Sequence, residues 1–113
     1  MTKIYHNPRC SKSRQALAIL EEKGEYIEII KYLENTPTEK ELSEIIDLLG
    51  IEPIALVRTN ENIWKENYKG KSLKNDELIH IMVQNPKLIE RPIVIKNSKA
   101  AIGRPPENVL TIL

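Results

Sequence analysis

The stretch KIYHNPRCSKSRQALAILEEKGEYIEII, residues 3–30, decides the fold class. Lys3-Ile4-Tyr5-His6 is a short strand, and Asn7-Pro8 cuts it off because the residue before a proline is pushed out of helical geometry. From Ser11 to Lys23 the apolar residues Ala16, Leu17, Ile19 and Leu20 recur at helical spacing, and Gly24 supplies the stop. Residues 26–30, Tyr-Ile-Glu-Ile-Ile, form a second strand. Strand, helix and strand in this order make a βαβ unit with a right-handed crossover, so the two strands are expected to pair in parallel. A single cysteine, Cys10, stands at the entrance to the helix.

Downstream, the sequence is helical for a long way and then returns to strands. Thr36-Pro37-Thr38-Glu39 is expected to start a helix, with Thr36 as cap, Pro37 in the first helical position and Glu39 closing a capping box. That helix should run to about Leu49 and end at Gly50. Residues 53–69 show no clean period, whereas 75–85 are helical again through Leu78, Ile79, Ile81 and Met82, up to Asn85-Pro86. Ile93-Val94-Ile95 and Lys99-Ala100-Ala101-Ile102 are strands about a turn at Asn97-Ser98, and Pro105-Pro106 leads into a last helix near Leu113. The order βα-β-(helices)-ββα suits a thioredoxin fold with an enlarged middle.

Composition narrows the function. At 113 residues the chain suits one domain. Seventeen Lys and Arg against 16 Asp and Glu leave no strong field to draw it to nucleic acid or an acidic membrane surface. No run of about 18 apolar residues suggests a membrane span, and the first residues do not look like a signal peptide, so the cytoplasm is the expected location. One cysteine excludes a disulfide within the chain, and no metal-ligand or flavin motif is visible.

The reactive form of a cysteine is the thiolate, which helix N-termini and nearby cations favour. Arg9, Lys12 and Arg14 lie within four residues of Cys10, Ser11 and Ser13 are polar, and His6 precedes it by four on the incoming strand. A buried structural cysteine would sit in more apolar company. His6 as imidazolium would stabilise a thiolate electrostatically, whereas His80, on an otherwise apolar helix, reads as structural. The arginines are few, five against twelve lysines: Arg9, Arg14, Arg58, Arg91 and Arg104. Arg suits a site where a planar fork grips an oxyanion through two hydrogen bonds, and Lys serves solvated charge. Ordinary ion pairing with the acidic residues is the competing use.

The run Ile4-Tyr5-His6-Asn7-Pro8-Arg9-Cys10-Ser11-Lys12-Ser13-Arg14 is followed in order by Tyr32-Leu33-Glu34, Leu56-Val57-Arg58, Glu90-Arg91-Pro92-Ile93-Val94 and Gly103-Arg104-Pro105. Together these segments resemble the glutaredoxin-linked arsenate reductase family (ArsC-like). The resemblance implies a single thioredoxin-fold domain over 1–113. Its fold class is α/β: a mixed four-stranded sheet with a helical insert at about 37–86, between the βαβ unit and the C-terminal ββα unit. It also implies that Cys10 is the nucleophile, that Arg58, Arg91 and Arg104 bind the oxyanion, that His6 and Ser13 tune the thiolate, and that Pro92 shapes the site through a cis bond. The family's usual small residues after its Pro and Cys are here Arg9 and Ser11, which makes the loop bulkier and more cationic.

Reducing arsenate to arsenite takes two electrons, and a thiol pair becoming a disulfide can supply them. This chain has one thiol, so a second must come from outside; the resemblance names glutathione and glutaredoxin as external reductants, with no bound cofactor and no metal. Two alternatives share the fold. One is a thiol-dependent reductase of another substrate. The other is a Spx-type regulator that binds RNA polymerase, although such proteins carry two cysteines three positions apart and the second place here is Ser13.

Overall fold

Two apolar periods build the first part of the structure, a computed structural model that describes all 113 residues. Strand β1 (Thr2–Tyr5) leads through a four-residue polar segment and Cys10 into helix α1 (Ser11–Glu22), and Gly24 at φ 68° turns the chain toward strand β2 (Ile27–Ile30). Strands β3 (Ile93–Lys96) and β4 (Lys99–Ile102) form a hairpin whose turn holds Asn97 at φ 57°, a left-handed conformation that Asn tolerates better than most residues. The sheet order is β2-β1-β3-β4. β1 and β2 pair in parallel, as a βαβ unit requires, while β1–β3 and β3–β4 are antiparallel. This is the mixed four-stranded α/β sheet of the thioredoxin-like class.

The sheet and its helix belong to one of two compact units, residues 1–35 together with 91–113. Its core holds Ile4 and Val94, cross-strand partners on β1 and β3, against Ala16 and Leu20 of α1 and Val109 and Ile112 near the C-terminus. The alternation of the strands and the i, i+4 spacing in α1 bring these residues to one side. Pro106–Ile112 winds as a 3₁₀ helix, not the α-helix expected, with prolines at its start. On the sheet, the Glu25 carboxylate accepts from the Thr2 hydroxyl (2.6 Å) and from Lys96 Nζ (3.0 Å).

Residues 36–90 form the second unit. Helix α2 (Glu39–Leu49) ends on Gly50 in the left-handed conformation, φ 66°, as Gly at this place allows. Its start differs from the expectation. Thr38, not Thr36, is the N-cap: its hydroxyl accepts from Glu41 N, and the Glu41 carboxylate accepts from Thr38 N. Both Thr-x-x-Glu pairs satisfy the capping-box pattern, but the later one keeps Pro37 out of the helix and puts Glu39 and Glu41 together in the first turn, where the dipole favours acids. The stretch without a clean period resolves into a 3₁₀ turn at Pro53–Leu56 and the short helix α3 (Asn62–Asn67), before α4 (Asn75–Gln84). Backbone bonds from Arg58 N to Leu88 O and from Glu90 N to Leu56 O, about the antiparallel bridge Val57–Ile89, tie the middle of the unit to its C-terminal end. No helix is long and apolar enough to cross a membrane.

Candidate active site

The loop between β1 and α1 is built from its own polar groups. His6 N donates to Ile30 O, which fixes the end of β1 beside β2. Asn7 then organises a tight turn: its side-chain oxygen accepts from Arg9 N (3.0 Å), and its carbonyl accepts from Cys10 N (3.0 Å). Arg14, one turn into the helix, donates from Nη1 to Pro8 O at 2.9 Å and holds the outer edge of the loop. The chain is therefore locked into the one path that delivers Cys10 as the N-cap of α1, in extended conformation at φ −92° and ψ 122°.

Cys10 offers no side-chain cap bond to the helix, and the first turn contains no acidic residue. The helix therefore brings no carboxylate of its own to its positive end. The sulfur is largely buried and receives an N–H from Arg104 Nη2 at 3.5 Å. Arg104 is itself aimed, because its Nε donates to Arg91 O at 2.8 Å. The helix N-terminus and the Arg104 guanidinium thus meet at the Cys10 residue.

Gly103 makes that approach feasible. Its N–H donates to Pro92 O, and a Cβ placed on it would stand 2.7 Å from Pro92 Cγ and 3.3 Å from Ala16 Cβ. Only a hydrogen fits where the end of β4 passes between α1 and the buried Pro92. The Arg91-Pro92 bond is cis, as the resemblance implied, and so is Arg104-Pro105, which was not anticipated.

Behind the cysteine lies a buried polar pair. Ser13 is fully buried, and its hydroxyl accepts from Asn7 N (3.1 Å) and lies 2.6 Å from His6 Nδ1. His6 is held below the ordinary histidine range, first by burial and then by the charges of Lys31 and Arg14. That direction runs against an imidazolium, and the contact that joins His6 to the loop is the one to the Ser13 hydroxyl.

The structure thus brings Cys10, Arg104, the Arg91 backbone, Pro92, His6 and Ser13 together within the sheet unit. Arg58 lies in the helical unit, where Glu61 (3.3 Å) and Glu90 (3.6 Å) pair with it. His80, read as structural, is exposed and paired with Glu39 at 2.9 Å. No group of three or more His, Cys, Asp or Glu side chains is placed to hold a metal ion. Sequence reading missed the parts played by Asn7, Arg14 and Gly103. Asn before Pro ahead of a helix is a turn signal that points to the first, but nothing local marks Gly103, whose neighbours come from two distant segments.

Comparison with known proteins places the chain in a family. The ArsC family profile matches residues 5–112. An uncharacterised Escherichia coli protein, YfgD, is 50% identical over 98% of this chain and 95% of its own length. A Neisseria meningitidis arsenate reductase is 45% identical over 98% of this chain and 97% of its own. A solved structure of an arsenate reductase from Vibrio cholerae superposes with a TM-score of 0.96 at 50% identity, covering 99% of this chain and 97% of that one. With the profile spanning the cysteine loop, the helical unit and the C-terminal hairpin with its flanking arginines, the chain belongs to the ArsC family.

Proposed function

We propose that the protein is an arsenate reductase that works through Cys10 and a borrowed thiol. The observation that carries this reading is the Arg104 N–H on the Cys10 sulfur at an uncapped helix N-terminus. A thiolate stabilised there is a nucleophile, and the same donors are at hand for the charge of an oxyanion bonded to it. The arsenate reductase relatives at 45–50% identity support the choice of oxyanion.

In the first step the Cys10 sulfur forms a bond to arsenic while an As–OH group, with one proton, leaves as water; arsenic stays at the +5 state. Glutathione displaces a second water and gives an adduct with two sulfurs on arsenic. A glutaredoxin thiolate then attacks the glutathione sulfur and leaves as the mixed disulfide. The electron pair of that As–S bond stays on arsenic, which becomes +3. Water cleaves the remaining Cys10–S–As bond, releasing arsenite and the free thiol. The sum is arsenate plus two external thiols giving arsenite, a disulfide and water. Arg104, with Arg91 and Arg58 as the family assigns them, would hold the oxyanion. Ser13 and His6 keep the loop in register, and Pro92 shapes its floor.

The test is NADPH oxidation coupled through glutathione reductase, glutathione and glutaredoxin, with and without arsenate, in the parent and in Cys10→Ser. Arsenate-dependent oxidation that disappears in the variant supports the reading; a parent without arsenate dependence refutes it.

A second reading keeps the thiolate and changes the substrate. It is favoured by the departures at Arg9, which adds bulk and charge, and at Ser11, on either side of Cys10, and by a relative at 50% identity for which no activity is named. The same assay with selenate or a glutathione mixed disulfide in place of arsenate separates the two.

A further inference from the structure

Beside the nucleophile loop is a cleft of about 240 Å³ that the chemistry above leaves unused. One wall is the loop itself, from His6 to Arg9, and the other is the turn after β2, with Lys31, Leu33 and Glu34. Bonds from Glu34 N and Asn35 N to Lys31 O close that turn and set its side chains around the opening. Two cations and one carboxylate, Arg9, Lys31 and Glu34, line it, and none of the three is in an ion pair. Charges of both signs left uncommitted around one small cleft fit a zwitterionic head better than a plain anion. The size is below the roughly 300–1,000 Å³ of pockets that enclose a drug-sized ligand, so the cleft takes one end of a small molecule. Arg9 is the residue immediately before Cys10, with Cα atoms about 3.8 Å apart.

We infer that this cleft seats the amino-acid head of the thiol donor: a γ-glutamyl group whose α-carboxylate meets Lys31 and Arg9 and whose α-ammonium meets Glu34. The γ-glutamyl arm and the cysteine that follows are about two residues long, roughly 7 Å when extended. That length carries the donor's sulfur from the cleft to the neighbourhood of Cys10. Leu33 supplies an apolar side for the methylenes of the arm. The proposal rests on the reading that glutathione is the donor, and it assigns the γ-glutamyl end, not the glycyl end, as the part recognised.

The experiment is an NMR titration of the full chain with three unreactive S-methyl probes: S-methylglutathione, S-methyl-γ-glutamylcysteine and S-methylcysteinylglycine. The first two are expected to bind with similar affinity and to shift the amides of Asn7, Arg9, Lys31, Leu33 and Glu34. The third, which lacks the head, should bind at least about tenfold more weakly, the loss expected for about 1.4 kcal/mol of charge-assisted contacts. Lys31→Glu should weaken S-methylglutathione by a similar factor, and Lys31→Glu with Glu34→Lys should recover part of it. Equal affinity for S-methylcysteinylglycine, shifts confined to Arg91 and Arg104, or no binding by the parent would overturn the proposal. Because the probe series uses the parent protein, a variant that folds poorly does not affect it. Binding at the cleft without arsenate turnover would keep this inference and remove arsenate as substrate. Turnover equally fast with cysteinylglycine and glutathione would do the reverse.

Discussion

The two units use the same residue types in opposite ways. In the sheet unit His6 is buried against Ser13 with its pKa lowered by burial and nearby cations, and Arg104 is steered by a backbone carbonyl onto a sulfur. In the helical unit His80 is exposed and paired with Glu39, and Arg58 lies between two carboxylates. Residue type alone therefore does not mark a reactive group; its partners do. A cation set between carboxylates has part of its charge offset there, whereas one placed against a sulfur stands where charge on that sulfur would meet it.

This contrast can be broken or sharpened by substitution. The largest effect is expected at Cys10: Cys10→Ser should lower arsenate turnover by at least about a thousandfold, the scale on which removing a nucleophile acts, with an unchanged unfolding midpoint. Arg104→Ala should lose about 100-fold in kcat/KM, as for other removed oxyanion donors. Arg58→Ala should lose only about tenfold, since Glu61 and Glu90 already offset part of its charge. Steady-state kinetics of the two arginine variants side by side would test the contrast directly, and equal losses would erase it.

Gly103→Ala tests whether packing aims Arg104. The added methyl would press on Pro92, so a destabilisation of roughly 1–3 kcal/mol in chemical unfolding is expected, together with lost turnover. His6 supplies a pH prediction. Its folded-state pKa is lowered, so between that value and about 6.5 the unfolded chain holds the extra proton. The stability contribution is complete above that window and is lost as pH falls through it. Unfolding midpoints should therefore drop on acidification below about pH 6.5 more steeply in the parent than in His6→Gln. The smallest effect belongs to the helical unit: Glu39→Gln should change stability by less than about 1 kcal/mol and leave turnover untouched, because the His80–Glu39 pair is exposed.

Much of this was legible in the sequence where local rules act alone. Asn7-Pro8 ends β1, Gly24 and Gly50 stop their helices, and the βαβ order dictates parallel pairing of β1 with β2. Ambiguity appeared where two local solutions compete, as at Thr36 and Thr38, and where no period exists, as at 53–69. The site divided in the same way. Cys10 at a helix entrance is a local feature. The Arg104 contact depends on residues 94 positions apart, and the protonation of His6 on burial by segments that meet only in the fold. Neither has a local signal. The resemblance to the family supplied the arginines, and the structure supplied what aims one of them.

The central claim is that one thiol in the chain obliges the enzyme to take the second from outside. Arsenite released by the purified protein, measured against added thiol, tests this most directly. The account predicts no arsenite from arsenate when external thiols are omitted, and one disulfide formed per arsenite when glutathione and glutaredoxin are supplied. Arsenite formed without any external thiol, or formed equally well by Cys10→Ser, would contradict it.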